Sequence, residues 1–126
     1  MECEHKKFLL MQKHFILPHC MMNIRIKQNS LRAKFAAVFL NKNNMAIVFG
    51  RTIYLHNINK ENFLKNKKWV RHEVQHVFQY QQYGLVSFIF KYLLESIKHG
   101  YKNNCFETEA CEKENDVEVL KNICFI

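Results

Sequence analysis

The stretch "KKWVRHEVQHVFQYQQYG", residues 67–84, decides how this chain is read. Val70, Val74, Val77 and Phe78 recur at spacings of three and four, the period of one helix face. The pattern predicts a helix over Lys67–Tyr83 that stops at Gly84, a residue type favoured just past a helix end. Inside it lies His72-Glu73-Val74-Gln75-His76. Residues four apart on a helix stand one turn apart on the same side. His72 and His76 would therefore aim both imidazoles at one point, as zinc ligation requires. Glu73 is one residue round. It can reach past such a metal to a bound water whose pKa zinc lowers to about 7, the position of a general base. A chain this rich in histidine and glutamate produces the five-residue pattern by chance roughly three times in a hundred. Chance would seldom also set it in a capped amphipathic helix.

Downstream, a second helix is expected over Leu85–His99, stopping at Gly100. A loop at residues 101–104 leads into an acidic third helix starting near Phe106, with Ala110, Val117, Leu120 and Ile123 as candidates to face the core. Upstream, Asn59 is a candidate cap for a short helical piece over residues 60–66. "MAIVFGRTIYLH" (residues 45–56) is rich in β-branched and aromatic residues and reads as strand or hairpin, bent at Gly50. Residues 41–44 form a turn. Residues 31–40 read as a helix with Leu31, Phe35, Val38 and Phe39 on one side. Asn23–Lys27 alternates apolar and basic, which suggests an edge strand. Residues 1–17 could form a short helix ended by Pro18. The expected architecture is a small α+β domain over residues 1–126, with an N-terminal segment (1–44) and a motif-bearing core (45–111).

Composition excludes more than it suggests. The chain has 126 residues and is 48% hydrophobic, enough for one domain and its core. Of the net +8, residues 1–72 carry 14 Lys/Arg against 3 acids (+11), and residues 73–126 carry 5 against 8 (−3). A basic front half could attract nucleic acid, anionic lipid or acidic peptides, or serve simply as a solvated surface. With three glycines there is no phosphate-cradling loop or dinucleotide fingerprint, and with Asp116 the sole aspartate there is no calcium loop. Ser30, Ser87 and Ser96 lack a nucleophile-elbow context. Five irregularly spaced cysteines read as reduced thiols in a cytoplasmic protein. Gln12-Lys13-His14 interrupts the apolar run that a secretory signal needs. The longest apolar stretch, "LVSFIFKYLL", is half the length of a membrane span and fits a buried or surface-seeking helix.

A catalytic zinc needs a third protein ligand and an open fourth position. His99, Cys105, Glu107, Glu109 and Cys111 are the downstream candidates. "HEVQH" followed about thirty residues later by "FETEAC" resembles the zincin metallopeptidases, in the gluzincin branch where a glutamate from a later helix completes the site. Residues 45–111 are also similar to small bacterial zincin-like domains. The resemblance implies a zincin-like fold, one zinc ion held by His72, His76 and Glu107, and Glu73 as general base in peptide hydrolysis. Glu109 is the alternative third ligand. Glu107 and Glu109, two apart on a helix, point about 200° from each other, so one of them at most can face the metal. Gluzincins commonly have aspartate where this chain has Cys111. That aspartate orients a ligand histidine, and Glu109, Asn104 or a backbone carbonyl could replace it.

His99 and Tyr101 are candidates to stabilise an oxyanion, and Tyr80, one turn beyond His76, could wall the pocket. Each also reads as structural, and Trp69 and Phe78 read most simply as core. By analogy with the zincins, residues 51–56 would form a strand beside the motif helix whose free edge pairs with an extended peptide. The expected partner is a peptide or protein substrate, with no specific nucleic acid. The competing expectations are a zincin-fold domain that binds zinc without cleaving and, more distantly, a basic nucleic-acid binder. Oligomeric state is not legible.

Overall fold

A computed structural model describes residues 20–126. The architecture is mixed α and β. The elements are β1 (Met22–Lys27), α1 (Leu31–Phe39), β2 (Met45–Phe49), β3 (Thr52–His56), α2 (Lys60–Lys65), α3 (Lys67–Tyr83), α4 (Leu85–His99), α5 (Cys105–Glu112), two 3-10 turns (Lys113–Asn115, Val117–Leu120) and β4 (Ile123–Phe125). The four strands form one sheet in the order β2-β3-β1-β4. β1 runs parallel to both β3 and β4, and β2 and β3 form an antiparallel hairpin. Phe49 pairs with Thr52, which leaves Gly50 and Arg51 as a two-residue turn. Gly50 has φ +64°, and a tight hairpin needs positive φ at this first turn position.

Strand alternation aims Ile24, Ile26, Ile53 and Leu55 at one side, where Val70, Val74 and Val77 of α3 join them with Phe63 of α2 in the main core. α3 begins with Asn66 accepting from the Trp69 amide and ends at Gly84, φ +84°. α2 is capped by Asn59, whose side chain accepts from the Asn62 amide. The helices at Lys67–Tyr83 and Leu85–His99 fall where their periodicity and flanking glycines put them.

Four sequence expectations change. Asn23–Lys27 belongs to β1, which is not an edge strand. It lies between β3 and β4, because the last residues of the chain return to cover its far side. Residues 51–56 do not offer a free edge either. β3 is inside the sheet and β2 is the open edge next to α3. The acidic helix stops at Glu112. Ala110 is buried as expected, but Val117 is exposed, Val119 takes its place in the core, and Ile123 belongs to β4. The cysteines are not all reduced thiols. Cys20 and Cys124 form a disulfide that ties the start of β1 to β4, with Cα atoms 5.7 Å apart, while Cys111 is free and exposed. Residues 20–44 are integral to the sheet, since Ile24 is fully buried. The helix expected over residues 1–17 lies outside the described residues.

Candidate metal centre

The motif face of α3 looks into a cleft of about 470 Å³. Its walls come from α1, β2, α4 and the head of α5, and its floor holds His72, Glu73, His76 and Glu107. Both imidazoles turn their Nε2 atoms to one carboxylate. His72 Nε2 is 3.0 Å from Glu107 Oε2, and His76 Nε2 is 3.2 Å from Glu107 Oε1. One ligand atom from each of the three residues lies within 4.8 Å of the others.

The opposite ring nitrogens are also engaged. His72 Nδ1 faces Glu114 Oε1 at 3.0 Å, and His76 Nδ1 faces Gln79 Oε1 at 2.8 Å. Gln79 is held in turn, its amide donating to the Phe106 carbonyl at 3.0 Å and to Glu109 Oε2 at 3.3 Å. A metal-ligating histidine characteristically donates its other N–H to such a partner, which fixes the tautomer and leaves the second nitrogen for the ion. Two imidazoles so oriented and a carboxylate between them form a donor set that fits a divalent transition metal. The arrangement also separates the two candidate glutamates. Glu107 faces the histidines, whereas Glu109 lies behind them against Gln79. The orienting carboxylate expected at Cys111 comes instead from Glu114, one turn later, where the chain has left α5 for a 3-10 turn. Cys111 stands near, its Sγ 3.9 Å from His72 Nδ1. His72, Cys111 and Glu114 form a second group able to approach an ion, but it would use the nitrogen that orients His72.

Without a metal, both nitrogens of each ring face acceptor oxygens, so the cluster holds protons. Burial alone would lower His76, but the hydrogen bond and charge of Glu107 outweigh it and raise the pKa to about 9. His72 is raised by the same contest between burial and Glu107. Burial would raise Glu107, yet its hydrogen bonds from the two histidines carry it well below the usual carboxylate range. Glu73 moves the other way. It is buried, which pushes its pKa up against the pull of both histidines. The Trp69 indole donates to Glu73 Oε1 at 3.0 Å and packs edge-on against Phe63 at 5.3 Å. The residue read as plain core therefore also aims the glutamate.

Local capping positions Glu107. The buried Asn104 accepts from the Phe106 amide at 2.9 Å, starting α5, and donates to the Tyr92 carbonyl and Ser96 Oγ of α4. Tyr92 Oη donates to Glu107 Oε1 at 2.7 Å. Tyr92 went unnoticed in the sequence. The only signal is that Phe88 and Tyr92 share one face of α4, and that cannot reveal a helix packed opposite. Tyr101 lines the cleft, its hydroxyl kept protonated by burial and by the negative charges of Glu107 and Glu73. Tyr80 lines it too, with burial pushing its pKa up to about 12 and its hydroxyl donating to the Val48 carbonyl of β2. His99 is not brought to the site. It is half exposed at the end of α4, 4.0 Å from Glu95.

Compared with protein-family models, curated proteins and solved structures, the chain matches none.

Proposed function

We propose that this protein is a zinc-dependent peptidase of the zincin type, with His72, His76 and Glu107 as metal ligands and Glu73 as general base. The observation that carries the reading is the convergence of His72 Nε2, His76 Nε2 and a Glu107 carboxylate oxygen while both Nδ1 atoms are held from behind. A zinc ion there would supply Lewis acidity and an acidified water. Glu73 sits beside the ligands in a buried place where its carboxylate is more basic than in solvent, suited to take a proton from the attacking water and pass it to the departing amine. Tyr101, protonated at neutral pH, is the donor available for the developing oxyanion.

The substrate is an extended peptide. The free edge of β2 borders the cleft, and strand addition there supplies main-chain hydrogen bonds. Tyr80 already holds the Val48 carbonyl, so pairing falls on residues 45–47. Phe35, Phe39, Ile89 and Leu93 line the walls, which favours a large apolar side chain next to the scissile bond.

Elemental analysis of the purified protein, followed by incubation of the wild type and Glu73→Gln with a broad peptide library, tests this reading. One zinc per chain in both proteins, with cleavage by the wild type alone, is the expected result. Zinc in both with no cleavage by either would replace it with a zinc-binding interaction domain. Absence of metal would remove both.

A further inference from the structure

The helix α1 is built inside out. Its buried residues are the two alanines, Ala33 and Ala37, while Leu31, Phe35, Val38 and Phe39 face solvent, Phe39 at 81% exposure. α4 repeats the arrangement. Phe88 and Glu95 are its buried residues, and Val86, Phe90, Leu94 and Ile97 project outward, Ile97 also at 81%. Both helices line the cleft, α1 through Phe35 and Phe39 and α4 through Ile89 and Leu93. Lone exposed apolar side chains need no explanation, but two apolar helix faces flanking one cleft mark an interaction site.

Charge selects the occupant. α1 contains no acid, and the one acid of α4, Glu95, is buried. The exposed charges on these helices and the turns after them are Arg32, Lys34, Lys42, Lys91, Lys98 and Lys102, all positive. Lys42 lies 5.8 Å from the Tyr101 ring, so the basic rim closes around one end of the cleft. In a two-fold pairing with a second copy, the same patch meets itself and sets these cations against one another with no acid to neutralise them. Apolar side chains ringed by lysine and arginine suit a surface with an anionic exterior and a hydrocarbon interior. Among the described residues no helix is long and apolar enough to cross a membrane, so attachment would be at the interface.

We propose that the α1–α4 face docks on an anionic phospholipid bilayer, its aromatic and aliphatic side chains entering the acyl boundary and its basic rim binding headgroups. This inference does not rest on the metal reading.

Vesicle flotation tests it, using phosphatidylcholine with and without phosphatidylglycerol. The wild type should float with the anionic vesicles and at least tenfold less with the neutral ones or in high salt. Val38→Ser/Phe90→Ser/Ile97→Ser should abolish flotation while keeping its circular dichroism. Should that variant misfold, Lys91→Ala/Lys98→Ala/Lys102→Ala serves in its place, with about fivefold lost per cation. A wild type that ignores anionic vesicles overturns the proposal, as does a folded variant that floats undiminished. A dimer that the serine substitutions disperse, with no vesicle binding, would assign the face to a second copy instead.

Discussion

His72 Nδ1 lies 3.0 Å from Glu114 Oε1, so the carboxylate that orients the first histidine of the motif comes from a 3-10 turn beyond the helix that carries Glu107. Removing such a partner costs a metal site roughly 10–100-fold in affinity. Glu114→Ala should weaken zinc binding by that much in competition with a chelator. Gln79→Ala should do the same through His76. Unchanged affinity in both would show that the Nδ1 contacts do not prepare the site.

The two candidate ligands on α5, Glu107 and Glu109, should separate cleanly. Glu107→Gln should lose stoichiometric metal, since it removes the charge that both Nε2 atoms face. Glu109→Ala should keep one metal per chain, with a modest loss of affinity through Gln79. Metal retained by Glu107→Gln and lost by Glu109→Ala would reverse the assignment.

Metal binding should release protons. Each Nε2 faces Glu107 as a donor when no ion is bound, and a ligating imidazole must be neutral. Zinc affinity should therefore rise between pH 6 and pH 9, and the binding heat should depend on the ionisation enthalpy of the buffer. The stability of the metal-free protein should follow the opposite course. His76 is raised from its ordinary 6.5 to about 9. Its stabilisation is full below pH 6.5 and is lost as pH rises through 9. His72, raised as well, acts in the same direction. Thermal melting of chelator-treated protein across this range checks the sign, and a flat or rising Tm would contradict it.

Asn104 links capping to the site. Asn104→Ala removes the cap of α5 and two hydrogen bonds to α4, a loss of about 2 kcal/mol. Urea denaturation measures it. Zinc affinity should fall in the same variant, because α5 carries Glu107. An unchanged denaturation midpoint would argue that the cap contributes nothing.

The Cys20–Cys124 bond closes a sequence separation of 104 residues. On the loop-entropy estimate its loss should destabilise the fold by roughly 5 kcal/mol. Melting of Cys20→Ser/Cys124→Ser beside the wild type measures this, since a thiol reductant would also cut the disulfide of Cys105. Equal midpoints would show that the Cys20–Cys124 bond contributes nothing.

The helices were legible wherever local chemistry is sufficient. Val70, Val74, Val77 and Phe78 keep the helical period, and Asn59, Gly84 and Gly100 terminate elements through backbone groups a few residues away. His72, Glu73 and His76 were legible for the same reason, since one helical turn sets their spacing. Glu107 was one of five downstream candidates and was singled out by resemblance; the geometry sets it, and not Glu109, against the two Nε2 atoms. Other site residues left no local trace. Trp69 and Tyr92 look like core aromatics until a carboxylate arrives opposite. Glu114 looks like one more solvated acid until His72 meets it.

Composition and local periodicity were enough for an α+β chain, for the limits of its central helices and for a motif that aims two imidazoles at one point. Long-range packing was needed to make β1 interior and β2 an edge, to bring Cys20 to Cys124, and to set Glu114 and Gln79 behind the histidines. These are pairings between residues tens of positions apart. Hydrophobic period and capping act over a few residues, so no local pattern encodes them. The outward face of α1 shows the same limit. Periodicity placed Leu31, Phe35, Val38 and Phe39 on one side of a helix, but only packing of the alanine side onto β2 and β3 showed that this side meets solvent.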